Sequence, residues 1–314
     1  MKIAFLFPGQ GSQAVGMGRA FAESSPAAAA VWSRADDAVG FRLSRLCFEG
    51  PEEELALTAN TQPAILTASV AAAAVLSERG IAPDLCAGHS LGEYSALVVT
   101  GALGFADAVR LVRKRGEFMQ EAVPVGTGAM AALMGIDLET AEKACAEAAR
   151  GEVVNVANIN SPGQIVIAGH RAAVERAVAA AAALGSKKGV LLPVSAPFHS
   201  ALMKPAADRL AGELERVSVH APRVPVVRNV DAGITTTADD VKPFLVRQVA
   251  SPVRWTDCLG VLAREGATTW LEVGPGRVLT GLLKRTVEGA RGQAVEDPDS
   301  LEKVAAALAG GPTA

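Results

Sequence analysis

Between Ala82 and Ala102 the chain reads APDLCAGHSLGEYSALVVTGA, and the change of character inside that stretch leaves few folds open. A short apolar run ends at Gly88, a tight turn through His89 and Ser90 follows, and a helix-forming segment begins at once with Leu91. A buried strand that passes straight into a helix belongs to a layered α/β core, in which the helix carries the chain back over a parallel sheet. The opening run KIAFLF repeats the pattern, since it is short, apolar and stopped by Pro8-Gly9. After PGQGSQ, AVGMGRAFAES has helical spacing. Gln62–Arg79, with Pro63 near its start and good helix formers behind, predicts a deeply packed helix. GFADAVRLVRKRGEFMQEA is amphipathic and entered through Asp107.

From about Gly126 to Val194 the order changes. AMAALMGI, VVNVANI, QIVIAGH and GVLLPV read as strands, with LETAEKACAEAAR and RAAVERAVAAAAALG as helices. The sequence β-α-β-β-α-β is that of a ferredoxin-like unit. The expected architecture is therefore α/β: a large α/β-hydrolase-like core with a parallel sheet, built from residues 1–125 and 195–314, and an inserted small ferredoxin-like lobe at 126–194. VPVVRNVDA and TTWLEVGPG return the chain to the core as strand-like segments, and the stretch from about Glu288 carries little structural signal.

Composition narrows the function. A formal net charge of -3 argues against a nucleic-acid partner, which needs a concentrated basic face. Cys47, Cys86, Cys145 and Cys258 are scattered and form no C-x-x-C pair, so neither a disulfide framework nor a metal site is expected, and reduced thiols fit a cytoplasmic protein. IAFLF is too short for a signal peptide, and no run is expected to cross a membrane.

Gly88, Ser90 and Gly92 form G-x-S-x-G between the strand-like and helix-like segments. There, small neighbours permit a strained turn that exposes the Ser90 hydroxyl, and the positive end of the following helix faces the turn. The alternative is a glycine-rich turn with an ordinary serine. A nucleophilic serine needs a base, and the chain has four histidines. His89 adjoins Ser90 and suits a turn-holding role; His170 ends a small-lobe strand; His220 lies in the polar stretch SVHAPR. His199, in LLPVSAPFHSALM, sits where a strand ends before a helix and is the candidate general base, with a structural histidine as the alternative.

The blocks FPGQGSQ, NTQPA, GHSLGEYSAL, RKRGEFMQEAV, NINSPGQIVIAG, SAPFHSALM, VRNVDA, VRQVASPVRW and LEVGPGRVLTGLLKR occur in this order from Phe5 to Arg285. Together they resemble the malonyl-CoA:acyl carrier protein transacylase family, which includes the acyltransferases of fatty-acid and polyketide synthesis. The resemblance implies Ser90 as nucleophile and His199 as base, with the backbone N–H groups of Gln10 and Leu91 as oxyanion hole. It implies that the main-chain carbonyl of Gln248, rather than an acid, orients His199, which leaves the Gln248 side chain free to vary. Arg115 would hold the free carboxylate of malonyl, while Arg113 and Lys114 read as a solvated helix face. Met119 and Phe198 would line the pocket, and a bulky ring at Phe198 goes with malonyl rather than methylmalonyl. Asn158, Asn160 and Gln164 border the site or simply serve the NSPG turn.

The implied substrates are malonyl-CoA, a coenzyme A thioester, and phosphopantetheinylated acyl carrier protein, with no other cofactor and a monomer as the working unit. Lys187, Lys188 and Arg223 are candidates by charge for the rim that meets an acidic carrier protein, with solvated surface as the alternative. Two other readings stay open: a serine hydrolase using the same Ser90 and His199, and a non-catalytic docking subunit for the carrier protein.

Overall fold

The computed structural model describes residues 1–309. Its strands in chain order are β1 (Ile3–Phe7), β2 (Leu85–Gly88), β3 (Gly128–Met134), β4 (Val154–Ser161) and β5 (Gln164–His170). They continue with β6 (Lys188–Leu191), β7 (Val226–Val227), β8 (Ile234–Thr235), β9 (Thr269–Val273) and β10 (Gly292–Val295). The apolar runs at β1 and β2 are buried on both faces because they lie at the centre of a sheet ordered β10-β9-β1-β2-β7-β8. Neighbours are parallel throughout except for the β7–β8 edge hairpin. Two apolar layers sandwich this sheet: Phe5 and Phe7 face one, Ala4 and Leu6 the other, as alternation along a strand requires.

β3 to β6 form a separate antiparallel sheet ordered β4-β5-β3-β6. The helices Leu138–Ala149 and Arg171–Ala183 cover one face of it, around Ala131, Leu133, Ile165 and Ile167. This is the expected ferredoxin-like lobe on an α/β core. It is stitched to the core by a short backbone ladder, Ile159 N–H to Val253 O and Val253 N–H to Ala157 O, each 2.9 Å.

Four local readings change. The helix expected at Gln62 starts earlier, at Thr58, and runs to Glu78 with Pro63 inside it. It is also long and apolar enough to cross a membrane by length and composition, against expectation. Most of its apolar window, 78%, is buried within the protein, because it is the central helix of the main core. The stretch after Glu288 carries structure as far as Ala309: β10 forms one edge of the large sheet and the helix Pro298–Ala309 follows, burying Leu301 and Val304, while the expectation for residues 310–314 lies outside the described residues. Finally, VPVVRNVDA supplies only the two residues of β7, because Asn229 leaves the sheet to bind the turn at Ser90.

The glycines flanking Ser90 are steric requirements. A Cβ on Gly92 would lie 2.0 Å from the Phe7 carbonyl oxygen, and one on Gly88 would lie 1.9 Å from the Gly92 backbone. The obstacles are backbone atoms in the central sheet and its first helical turn, so they cannot rotate aside. Gly92→Ala is expected to destabilise the protein by roughly 3 kcal/mol or more, read as a lowered midpoint in chemical denaturation.

Candidate active site

Ser90 stands between the last residue of β2 and the first of the helix Leu91–Val99, with φ 52° and ψ -102°. A left-handed serine is costly, and it persists where its surroundings over-determine it. Asn229 does this: its Oδ1 accepts the Ser90 N–H at 2.6 Å and its Nδ2 donates to Gly88 O at 2.7 Å. The result points the Ser90 hydroxyl off the end of the central sheet into a cavity of about 480 Å³. Residues of both lobes line it, among them Gln10, Arg115 and His199 from the core and Met130, Asn158 and Val166 from the small lobe.

Ser90 Oγ is 2.7 Å from His199 Nε2. His199 is buried, and its own backbone is left-handed at φ 59°. Its Nδ1 faces two carbonyl oxygens, Gln248 O at 2.9 Å and Ser251 O at 3.2 Å. Carbonyls can only accept, so the proton sits on Nδ1 and Nε2 is the bare nitrogen aimed at the hydroxyl. Burial, and next the positive charge of Arg115, push the His199 pKa down to about 3, so the ring is neutral near pH 7.

That depression has a measurable consequence for stability. A histidine titrating near 3 in the fold but at its ordinary value when unfolded favours the folded state above about pH 6.5. The contribution is lost as pH falls from there toward 3. His199→Gln is therefore expected to lose less stability than the native chain on going from pH 7 to pH 5, by on the order of 2 kcal/mol in chemical denaturation.

Arg115, on the helix Phe105–Glu121, is only 2% exposed. Its Nη2 donates to Ser90 Oγ at 3.2 Å and to Gln248 Oε1 at 3.0 Å, and its Nη1 donates to Gln62 Oε1 at 2.7 Å. The Tyr94 ring lies 5.4 Å from its guanidinium carbon. The three groups singled out from sequence thus meet at one atom, Ser90 Oγ. Arg113 and Lys114 point elsewhere and pair with Glu117 and Glu213. Gln10 and Leu91 both line the cavity, and their N–H groups bond no other group among the described residues. Met119 and Phe198 line it too, Met119 with its sulfur 3.8 Å from Gln62 Nε2.

One expectation needs correcting. The Gln248 side chain is not free to vary: it is fully buried, with Oε1 accepting from Arg115 and Nε2 donating to Ser90 O at 3.0 Å and Glu93 Oε2 at 2.8 Å. The three candidate rim cations stand apart from the cavity lining. Lys187 and Lys188 sit at the Met134 end of β3, about 13 Å along the strand from the cavity-lining Met130. Arg223 caps Val99 O, at the end of the Leu91–Val99 helix remote from Ser90.

Sequence reading missed Glu93, Asn229 and Gln62. Glu93 is 3% exposed, and its Oε2 accepts from Asn229 N at 2.9 Å as well as from Gln248. Burial pushes its pKa up to about 7, against the pull of those hydrogen bonds and of Arg115. S-x-x-E at Ser90–Glu93 is the one local signal, and it suggests a solvent-facing helix cap. Here Asn229 takes the Ser90 N–H instead and Glu93 turns inward. His89 holds the turn, with Nε2 2.9 Å from Asn160 Oδ1. Asn158 lines the cavity as well, whereas Gln164 pairs with Met134 at the far end of β3.

The acyl transferase domain family model matches residues 4–305. The malonyl CoA-acyl carrier protein transacylase of Escherichia coli (strain K12) is 54% identical over 301 residues, covering 96% of this chain and 97% of its own. That of Bacillus subtilis (strain 168) is 50% identical over 302 residues, covering 96% and 95%. Among solved structures, an acyl carrier protein S-malonyltransferase from Vibrio cholerae O1 superposes with a TM-score of 0.95 at 50% identity, over 97% of this chain and all of that one. A malonyl-transacylase in complex with its type II PKS acyl-carrier protein gives the same TM-score and identity, over 98% and 99%. With a site of this geometry and similarity of this extent along its whole length, the chain belongs to the malonyl-CoA:acyl carrier protein transacylase family of acyl transferase domains.

Proposed function

We infer that the protein is a malonyl-CoA:acyl carrier protein S-malonyltransferase, which moves malonyl from coenzyme A to the phosphopantetheine thiol of acyl carrier protein for fatty-acid or polyketide synthesis. The observation that carries this reading is the placement of a buried guanidinium 3.2 Å from a hydroxyl that is itself 2.7 Å from a neutral imidazole. Attack, proton transfer and recognition of a carboxylate then fall within one small molecule's length.

In this reading His199 Nε2 takes the Ser90 proton as Oγ attacks the thioester carbonyl. The new oxyanion is held by the N–H groups of Gln10 and Leu91, at the positive end of the Leu91–Val99 helix. The C–S bond breaks and the proton on His199 passes to the departing thiolate. The carrier protein's thiol next gives its proton to His199 and attacks the malonyl-serine ester, and the Ser90 alkoxide leaves with that proton. The imidazolium formed at each step is stabilised by the Gln248 and Ser251 carbonyls, while Glu93 reaches Gln248 and not the ring.

Arg115 selects the acyl group. Its Nη1 keeps one N–H uncommitted, and acylation frees the Nη2 N–H that Ser90 Oγ now accepts, so the guanidinium can grip the malonyl carboxylate through both nitrogens. Phe198 lines the cavity, and a bulky ring at this place in the family goes with malonyl rather than methylmalonyl, which supports the same preference here. Every group used lies on one chain, which supports action as a monomer, and four unpaired buried thiols support a cytoplasmic setting.

The deciding measurement is the fate of the acyl group. Malonyl released to water from malonyl-CoA alone is expected to be at least ~100-fold slower than malonyl transferred when holo-acyl carrier protein is present. Equal rates would identify a hydrolase instead.

A further inference from the structure

We propose that Glu93 is a positioning residue for substrate selection: by accepting hydrogen bonds from Gln248 Nε2 and Asn229 N, it fixes the Gln248 amide so that its oxygen faces Arg115 and holds the guanidinium over Ser90. The inference rests on the reading of Arg115 as the carboxylate clamp.

The geometry is a closed chain of donors and acceptors. Gln248 Nε2 has two hydrogens, and both are spent, on Ser90 O and on Glu93 Oε2. Gln248 Oε1 then has one direction left, toward Arg115 Nη2 at 3.0 Å. Were the amide reversed, its N–H₂ would meet the guanidinium N–H₂, two donors with no acceptor between them in a buried space. Ser90 O can only accept, and Glu93 Oε2 already accepts from both Gln248 Nε2 and the Asn229 N–H, so together they disfavour the reversal. Glu93 Oε2 also accepts from the backbone N–H of Asn229, which holds the carboxylate in place against Gln248. Gln248 meanwhile offers its main-chain carbonyl to His199 and its side chain to Arg115, which sets the distance between base and clamp through a single residue.

Glu93 touches neither His199 nor Ser90 Oγ, so its loss should be felt in selection rather than in attack. The test uses single-turnover acylation of Ser90, followed by intact mass, with malonyl-CoA and with acetyl-CoA, which has no carboxylate to clamp. Glu93→Leu keeps comparable bulk and removes the acceptor; it is expected to lower the malonyl-to-acetyl preference at least ~10-fold while acetyl acylation stays within about threefold. Glu93→Gln keeps an acceptor oxygen and is expected to hold the preference within about threefold of the native chain. Gln248→Met, which breaks the bridge but keeps the carbonyl for His199, should reproduce the Glu93→Leu loss and keeps the question open to test if that variant does not fold. The double variant should lose no more than either single one, as members of one chain of contacts do.

An equal fall on both esters in Glu93→Leu and in Gln248→Met would overturn the inference, because the residues would then serve only the Ser90 turn. An unchanged preference, or a Glu93→Gln variant as damaged as Glu93→Leu, would overturn it as well. Arg115→Ala separates the two levels: if it too leaves the preference intact, the clamp reading fails, whereas if it alone abolishes the preference, only the role of Glu93 does.

Discussion

Ser90→Ala is expected to abolish the malonyl adduct seen by intact mass after mixing with malonyl-CoA, and to lower steady-state transfer by ~10⁴-fold or more. The size follows from the arrangement. Among the described residues, Oγ is the only hydroxyl that both contacts the His199 nitrogen, at 2.7 Å, and lies within reach of Arg115, at 3.2 Å. The turn is set by Asn229 and by glycines that admit no Cβ, so no neighbouring side chain shifts into that position. His199→Ala should lose transfer to a similar extent, since nucleophile and base act as a unit and their losses are far from additive. The two variants differ in one readout: His199→Ala keeps the hydroxyl and can accumulate a slow adduct, whereas Ser90→Ala cannot. A malonyl adduct on Ser90→Ala would end the covalent reading.

Arg115→Ala is expected to reverse the enzyme's choice of acyl group. Truncating one partner of a buried, hydrogen-bonded charge pair costs about 3 kcal/mol, on the order of 10²-fold in kcat/KM for malonyl-CoA. Acetyl-CoA, with an uncharged methyl end, should gain instead, because in the native site it would bury the guanidinium without a counter-charge. The variant also removes the donor to Gln62 and Gln248, so acetyl turnover and thermal midpoint should be measured together to separate selection from folding. Arg115→Lys should recover little of the malonyl activity, as a single ammonium cannot present two parallel N–H groups to a carboxylate. A fall of equal size for both esters would show that Arg115 supports the site without selecting its substrate.

How much of this was legible depended on the range of the interactions involved. The strand–turn–helix at Ser90 is local, since an apolar run, two small residues and a helix former suffice to predict it, and that alone implied a parallel core. The β-α-β-β-α-β order was likewise visible from alternating periods, and the lobe appears between Gly128 and Leu191. Local signals misled where tertiary contacts overrode them. Pro63 reads as a helix start but lies inside the helix Thr58–Glu78, and the Ala- and Gly-rich end after Glu288 reads as featureless but closes the sheet at β10. Where Lys187, Lys188 and Arg223 stand relative to the cavity was not legible, because charge says nothing about which end of a strand or helix faces it.

The sequence by itself determined the kind of chemistry: a serine on a strained turn, a histidine after a strand and an arginine in a known ordered block carry their reactivity in their side chains and their immediate neighbours. Only the tertiary structure decided how those groups are held. Glu93, Asn229 and Gln248 are 136 and 155 residues apart along the chain where they bond, and nothing local distinguishes a buried carboxylate in a helix's first turn from an exposed one. Hydrogen-bond direction and burial are properties of the assembled fold, because they exist only once distant segments have excluded water from between them.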